Sequence, residues 1–418
     1  MIELMLLAQL FAAPTPKPAA PADTWTEFRG PNGTGHYTGP AVPTEWGTSK
    51  NVAWESKIDG LAWSTPILVK GKLYLTTAVP KGDDHELRVL CLDAATGKVV
   101  WNELVFLQSG KSAPNVHKKN SHASPTPVSD GERVIVHFGH MGLASYDLAG
   151  KQEWKSQKYE YKPMHGNGGS PILAEGLLVF SIDGNDKQQV VALDPKTCDE
   201  KWVADRKSKA GLKFTFTTPQ LIEHDKKKQI ISAASDFVCG YDPKTGDELW
   251  RASYPKPGWS LITRPIYASG LVIIQTGYMN QHLMAIDPSG SGDVTKSHVK
   301  WTYQKHAPNT PTPLVVGDEL YSLSDKGVLV CLDIKTGKVH WEERLSKDGY
   351  SSSPILANGK IYATSESGLG HVVEPSTSEL KVLASSELNE KTFATILPAD
   401  GALYIRTETK LYKFAEKK

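Results

Sequence analysis

Apolar residues along this chain come in short runs, each interrupted by polar turn formers. Leu73-Tyr74-Leu75, Leu320-Tyr321-Ser322 and Leu403-Tyr404-Ile405 are typical. Short runs rich in β-branched and aromatic residues, bounded by Gly, Pro, Asn and Asp, predict strands joined by tight turns. No run outside the N-terminus approaches the roughly 20 apolar residues of a membrane helix.

The runs belong to a repeat. Seven copies open on a small or polar pair and a proline: Ser64-Thr65-Pro66, Ala123-Ser124-Pro125, Gly169-Ser170-Pro171, Thr217-Thr218-Pro219, Thr263-Arg264-Pro265, Pro311-Thr312-Pro313 and Ser352-Ser353-Pro354. An eighth is worn to Phe393-Ala394-Thr395. The unit closes on a pattern of small-x-Asp-x-x-Thr-Gly-Lys-x-x-Trp, clearest at residues 91–101 (CLDAATGKVVW) and 331–341 (CLDIKTGKVHW). Residues 192–202 and 240–250 are close variants, 285–301 carries an insertion, and 145–154 is one residue shorter. Each unit reads as four short strands. Asp and Thr side chains suit the last hairpin by bonding turn backbone, and Gly supplies the positive φ. The closing indole has a large face to bury between neighbouring units. Trp54, Trp101, Trp154, Trp202, Trp250, Trp301 and Trp341 are therefore predicted as docking residues, with the small residue before the Asp leaving room for them. A four-stranded unit repeated radially is a β-propeller.

The ring closes on paper as well. The eighth unit lacks the Thr-Gly-Lys-x-x-Trp ending, and residues 51–55 (NVAWE), with Trp54, offer the missing outer strand. The expected fold is an all-β, eight-bladed β-propeller whose last blade is completed by an N-terminal strand. Residues 51–416 form it, residues 23–50 lead into it, and residues 1–22 read as a signal peptide with a Pro/Ala linker. Blade seven is expected to be the weak point, because Glu374 stands where other units have Asp and Val382 takes the docking position.

These repeats resemble the pyrroloquinoline-quinone-type propeller repeat with its tryptophan-docking motif, over essentially the whole folded chain. The segment Trp25-Thr-Glu-Phe28-Arg29-Gly30-Pro31-Asn32-Gly33 resembles the start of exported bacterial members. The resemblance is specific for fold and weakly so for function, since quinoprotein dehydrogenases, an outer-membrane assembly lipoprotein and sensor ectodomains share it. Quinoprotein alcohol dehydrogenases usually carry an adjacent cysteine pair over the cofactor, calcium-binding carboxylates and long insertions. Here the cysteines are Cys91, Cys198, Cys239 and Cys331, none adjacent. The expected function is a non-catalytic binding or scaffold propeller of the bacterial cell envelope, without a cofactor. The alternatives are a pyrroloquinoline-quinone-dependent dehydrogenase with calcium and reduced loops, and a sensor ectodomain.

Charge narrows the partners. The net charge is +1 with no long single-sign run, which argues against nucleic acid and acidic membranes. Residues 4–13 form an apolar run and Ala20-Pro21-Ala22 a small-residue cleavage site, so export to the periplasm or envelope is expected. With Cys91 the first cysteine, no lipid-modified anchor is expected. Cys91 and Cys331 fall in non-adjacent blades, too far apart for the roughly 7 Å Cα limit of a disulfide, so four free thiols are expected. No cysteine or histidine spacing reads as a zinc site, and no nucleophile-elbow or phosphate-loop motif is present.

In a four-stranded meander, the loop into strand A and the B–C loop lie on the same face of the ring. The loops into strand A supply Trp63, His122, His165, Asn167, Phe216, Trp259, Arg264, Asn309, Tyr350 and Phe393 as ligand-binding candidates. The B–C loops supply His140, Asp183, Asp236, Tyr278, Asp325, Glu366 and Arg406, whose acids also suit turns. The longest gap between opening prolines holds residues 108–122 (QSGKSAPNVHKKNSH), a polar loop placed to lid this face. The expected partner is an envelope protein or a small polar ligand, and the protein is expected to be monomeric.

Overall fold

The computed structural model describes residues 24–111, 113, 115–256 and 258–416. The expected signal peptide lies outside them. Eight sheets of antiparallel strands follow one another along the chain. Blade one is Ile67–Val69, Lys72–Lys81, Asp84–Asp93 and Val99–Gln108, from the inner strand A to the outer strand D. Blade eight is Leu397–Ala399, Ala402–Arg406 and Lys410–Ala415, completed on the outside by Val52–Lys57, so the N-terminal strand fastens the ring as expected. No helix among the described residues is long and apolar enough to cross a membrane.

The C–D hairpin shows why the closing motif has its residues. Asp93 Oδ1 accepts the backbone N–H groups of Ala95 and Thr96 at 3.1 and 2.9 Å. Gly97 adopts φ 71° and bonds the Asp93 carbonyl. A second reason for the glycine comes from the neighbouring blade: a Cβ there would sit 2.6 Å from the Trp54 ring. Trp54 Nε1 then donates to Ala94 O at 3.1 Å. Trp101, Trp154, Trp202, Trp301 and Trp341 likewise donate to Leu148, Pro195, Pro243, Ile334 and Ser376 of the following blade. Trp250 reaches its neighbour through a relay. It donates to Gln229 Oε1 at 2.7 Å, and Gln229 Nε2 donates to Pro288 O. Across the C–D pair these indoles face a small residue, such as Cys91, Gly240 or Cys331, except Trp54, which pairs with Lys413. All four cysteines are unpaired.

Two details differ from the sequence reading. Blade two opens on Pro125-Thr126-Pro127, two residues later than expected: Thr126 Oγ1 accepts Thr65 N–H, and Thr126 N–H donates to Ser170 Oγ, the register held by the residue before proline elsewhere. In blade seven the docking position is Ala384, paired with Val372, and Val382 is one bulge further out. The indole missing there is supplied from elsewhere. Trp46, 2% exposed, lies against Gly370 and stacks at 6.2 Å on Tyr362. Its backbone N–H donates to Ser386 Oγ, and the adjacent Gly47 bridges Glu387. Blade seven is thus not indole-free, and the segment leading into the propeller packs its closure.

That segment also crosses the central channel. Trp25 pairs with Leu68 of blade one, Thr26 O accepts Ser129 N–H of blade two, and Asn32 O accepts Gln220 Nε2 of blade four. Arg264 of blade five holds Glu27 at 2.8 Å and Phe28 O at 2.6 Å. Arg29, fully buried, donates to Thr312 O and Pro313 O of blade six and Pro354 O of blade seven. His36–Tyr37 adds a parallel strand inside blade seven, and Tyr37 Oη accepts Gly401 N–H of blade eight. Gly33 is needed at φ 66°, where a Cβ would fall 2.2 Å from the Arg264 guanidinium carbon. Burial beside Arg264 pushes Arg29 down to about 9, and five backbone carbonyls take the place of a counter-ion. The result is a ring plugged by its own N-terminal segment.

Candidate functional site

Plugging the channel leaves a cup on the face formed by the A-leading and B–C loops. Its cavity measures about 560 Å³ and Phe28 of the plug is its floor. Six of the sequence candidates meet in its wall: Trp63, His165, Phe216, Trp259, Asn309 and Phe393. Trp63 and Phe393 pack at 4.5 Å where blades one and eight meet. Across the cup, Trp259 and Tyr278 of blade five pack at 6.4 Å. Of the B–C residues, Tyr278 and Asp325 also line it.

The other four candidates are spent elsewhere. Arg264 pins the plug. His122 stacks on His85 at 4.2 Å, and burial, then His85 and His140, push it down to about 4. Asn167 is buried and accepts from Tyr161 Oη at 2.9 Å, while its amide nitrogen meets His140 Nδ1 at 3.1 Å. Tyr350 is buried against Ser346. Asp183 is no turn former: it is buried in a two-bond fork with Arg206 (2.8 and 3.0 Å) and accepts from Thr215 of the next loop at 2.7 Å. Arg406 is buried, donates to Ser64 Oγ and Thr76 O, and desolvation pushes it down to about 9.

Sequence reasoning missed the lower wall. In most blades the residue before the opening proline is Ser or Thr, and its hydroxyl accepts the equivalent N–H of the preceding blade. The chain of bonds runs Thr65 to Thr126 to Ser170 to Thr218, and again from Arg264 to Thr312 to Ser353 to Thr395, at 2.9–3.1 Å. These hydroxyls use oxygen as acceptor and donate their own hydrogen to no other described residue. The Oγ1 of Thr65 is buried without a partner among the described residues. The signal was visible as the recurrent Ser/Thr-Pro, but nothing in one repeat says that its hydroxyl serves the neighbour.

The long loop does lie over this cup. His117 N–H donates to His165 O, Asn120 Nδ2 to the same carbonyl at 2.9 Å, and Lys119 forms an ion pair with Glu366 of blade seven at 2.6 Å. It straps the mouth past blades eight and one. Burial, then His165, Lys118 and Lys119, lower the His117 pKa. Asp325 is the one carboxylate among the described lining residues, and it accepts from Asn309 N–H at 2.5 Å and Thr310 Oγ1 at 2.7 Å. The histidines disperse: His117 faces His165, His122 faces His85, and His137 faces Gly169 O. Among the described residues no three His, Cys, Asp or Glu side chains gather as a metal site would require.

The family profile described as "Outer membrane protein assembly factor BamB" matches residues 38–162, 156–260 and 226–418. The outer membrane protein assembly factor BamB of Nitrosomonas eutropha is 23% identical over 229 residues, 51% of this chain and 48% of that protein. This chain thus spans about half the length of that curated relative. BamB from Moraxella catarrhalis superposes with a TM-score of 0.60 at 11% identity, over 87% of this chain and 99% of that one. Quinohemoprotein alcohol dehydrogenase from Comamonas testosteroni superposes with a TM-score of 0.54 at 14% identity, over 96% and 82%. At such identities these superpositions speak for the fold alone.

Proposed function

The chain belongs to the propeller family described as outer membrane protein assembly factor BamB, and on that premise we propose that it is a non-catalytic binding propeller of the bacterial cell envelope. Its ligand or partner segment sits in the plugged cup. The observation that carries this reading is the state of the cup's polar groups: Asp325 is tied to Asn309 and Thr310, Lys119 to Glu366, and the rest of the described wall is mostly aromatic rings and hydroxyls, with the imidazoles of His117 and His165 and the amides of Asn120 and Asn309. Concave sites lined by aromatics with a few polar groups are where ligands bind. General acid–base chemistry needs a titratable group free to reach substrate; the ion pair and turn bonds engage both charged groups, and the two imidazoles of the lining, His117 and His165, face each other at 5.7 Å. A calcium ion takes six to eight oxygen ligands, several of them carboxylates. The lining offers one carboxylate, already engaged, so the reading includes no quinone–calcium pair. Placement in the envelope rests on family membership and on the export pattern of residues 4–22.

The test is capture from an envelope extract by the wild type and by the Trp63→Ala/Phe393→Ala double variant. A species retained by the wild type and lost from the variant supports the reading; equal capture places binding off this face and refutes it. Addition of pyrroloquinoline quinone and calcium is the second arm. Retained cofactor absorbance with dye reduction would establish the dehydrogenase instead.

A further inference from the structure

We propose that the cup is a carbohydrate-binding site that takes a short neutral oligosaccharide between its aromatic walls. This deepens the binding reading above and rests on it. The lining has six aromatic rings and one aliphatic side chain, Ile262. A pocket built for an alkyl chain would be lined with Leu, Ile and Val. Rings in place of aliphatics suit a ligand with flat, weakly polar C–H faces, which a pyranose presents on both sides. The Trp63–Phe393 pair on blades one and eight stands opposite the Trp259–Tyr278 pair on blade five, so a ligand between them meets a ring on each side. The size agrees: 560 Å³ lies within the roughly 300–1,000 Å³ of small-ligand sites.

Charge decides against an ionic ligand. Lys119 is neutralised by Glu366, and Asp325 is the one carboxylate among the described lining residues, so among these the wall offers an anion no free lysine or arginine. The buried Arg29 and Arg406 do not alter this, because backbone and hydroxyl oxygens surround both and neither lines the cavity. What the wall offers instead is hydroxyl hydrogen. Thr126, Ser170, Thr218, Thr312, Ser353 and Thr395 each accept a backbone N–H, so each directs its own O–H elsewhere. A ligand dense in neutral acceptor oxygens satisfies such a belt, and Asn309, whose Oδ1 has no partner among the described residues, adds an amide that donates and accepts. A peptide is less well served. A peptide that adds as a strand needs an open strand edge, and the strand openings at this wall already bond one another through the belt.

The experiment titrates the full chain with maltotriose, cellotriose, mannotriose and tri-N-acetylchitotriose by calorimetry and saturation-transfer NMR. A blocked tripeptide, acetyl-Ala-Phe-Ala-amide, runs in parallel. At least one trisaccharide should bind, with transfer strongest at ring C–H protons. Trp259→Ala and Tyr278→Ala should each weaken it about tenfold, the scale of one lost stacking contact. Tyr278 is 48% exposed, so that variant folds, and Leu104→Ala on the outer strand of blade one should leave affinity unchanged. Three results would overturn the proposal: no trisaccharide binds, binding is indifferent to both aromatic variants, or the tripeptide alone binds. If a trisaccharide binds while Trp63→Ala/Phe393→Ala captures envelope partners normally, the partner reading fails and the sugar site stands. If capture is lost but no sugar binds, the reverse holds.

Discussion

Trp46→Ala should destabilise this propeller as much as removing one of the repeat's own tryptophans, although residue 46 lies outside every repeat. The indole is 2% exposed and packs against Tyr362 and Gly370. A side chain of this size removes about 200 Å² from water, worth at most about 5 kcal/mol at 25 cal/mol per Å². The cavity argument gives about 3–5 kcal/mol for a buried Trp→Ala change. Its Nε1 has no partner among the described residues, so the cost is one of packing. Collapse into the space is hindered, because Gly370 has no side chain to move in and Ala384 is short. Chemical denaturation should show an unfolding free energy lowered by about 3–5 kcal/mol, close to that of Trp250→Ala, whose indole is fully buried. Hydrogen exchange should localise the loss to Lys360–Thr364, Leu369–Glu374 and their neighbours in blade eight. A cost below about 1 kcal/mol, well under the range for a buried Trp, would refute the claim that Trp46 stands in for the missing docking residue. So would exchange spread evenly over all eight blades.

Thiol counting should find four reactive groups in denaturant without reductant, while the folded protein reacts slowly. Burial pushes Cys239 up to about 12, and Cys91 and Cys331 up to about 11; two free thiols on denaturation would mean a disulfide. Stability should fall on acidification between about pH 6.5 and pH 4. Burial pushes His137 down to about 4, against the weaker pull of the Gly169 carbonyl. The unfolded chain therefore binds a proton in that window that the folded chain refuses, at a cost of up to about 3 kcal/mol at the acid end. His137→Asn should lessen this slope, the remainder falling to His122, which burial also pushes down to about 4, and an unchanged slope in urea titrations across that range would exclude His137 as a source. Asp183→Asn should cost about 3–5 kcal/mol by leaving the buried Arg206 without its counter-charge, and a loss under 1 kcal/mol would show that the fork is not needed for stability.

The sequence determined the fold because a propeller is written locally. Strand lengths, the Asp-x-x-Thr-Gly turn and the spaced tryptophans each act within a few residues, and eightfold repetition multiplies the signal. Even the joining of residues 51–55 to the last blade was legible, as a missing strand at one end and a spare one at the other. Candidates read from loop position met in the cup where their side chains were left free, as with Trp63, Trp259 and Phe393. Those with a stronger local partner, as Arg264 has in Glu27 or Asn167 in Tyr161, did not. Only the tertiary structure decided what residues 25–47 do. They carry no repeat, and their partners lie in blades one, two and four to eight, from tens to hundreds of residues away, where no periodicity could point to them. That is why Phe28 as floor, Arg29 as the carbonyl-bound pin and Trp46 as the borrowed indole were invisible in the chain. The same holds for the hydroxyl belt, since a Ser or Thr before proline looks like the start of a strand until the next blade is beside it.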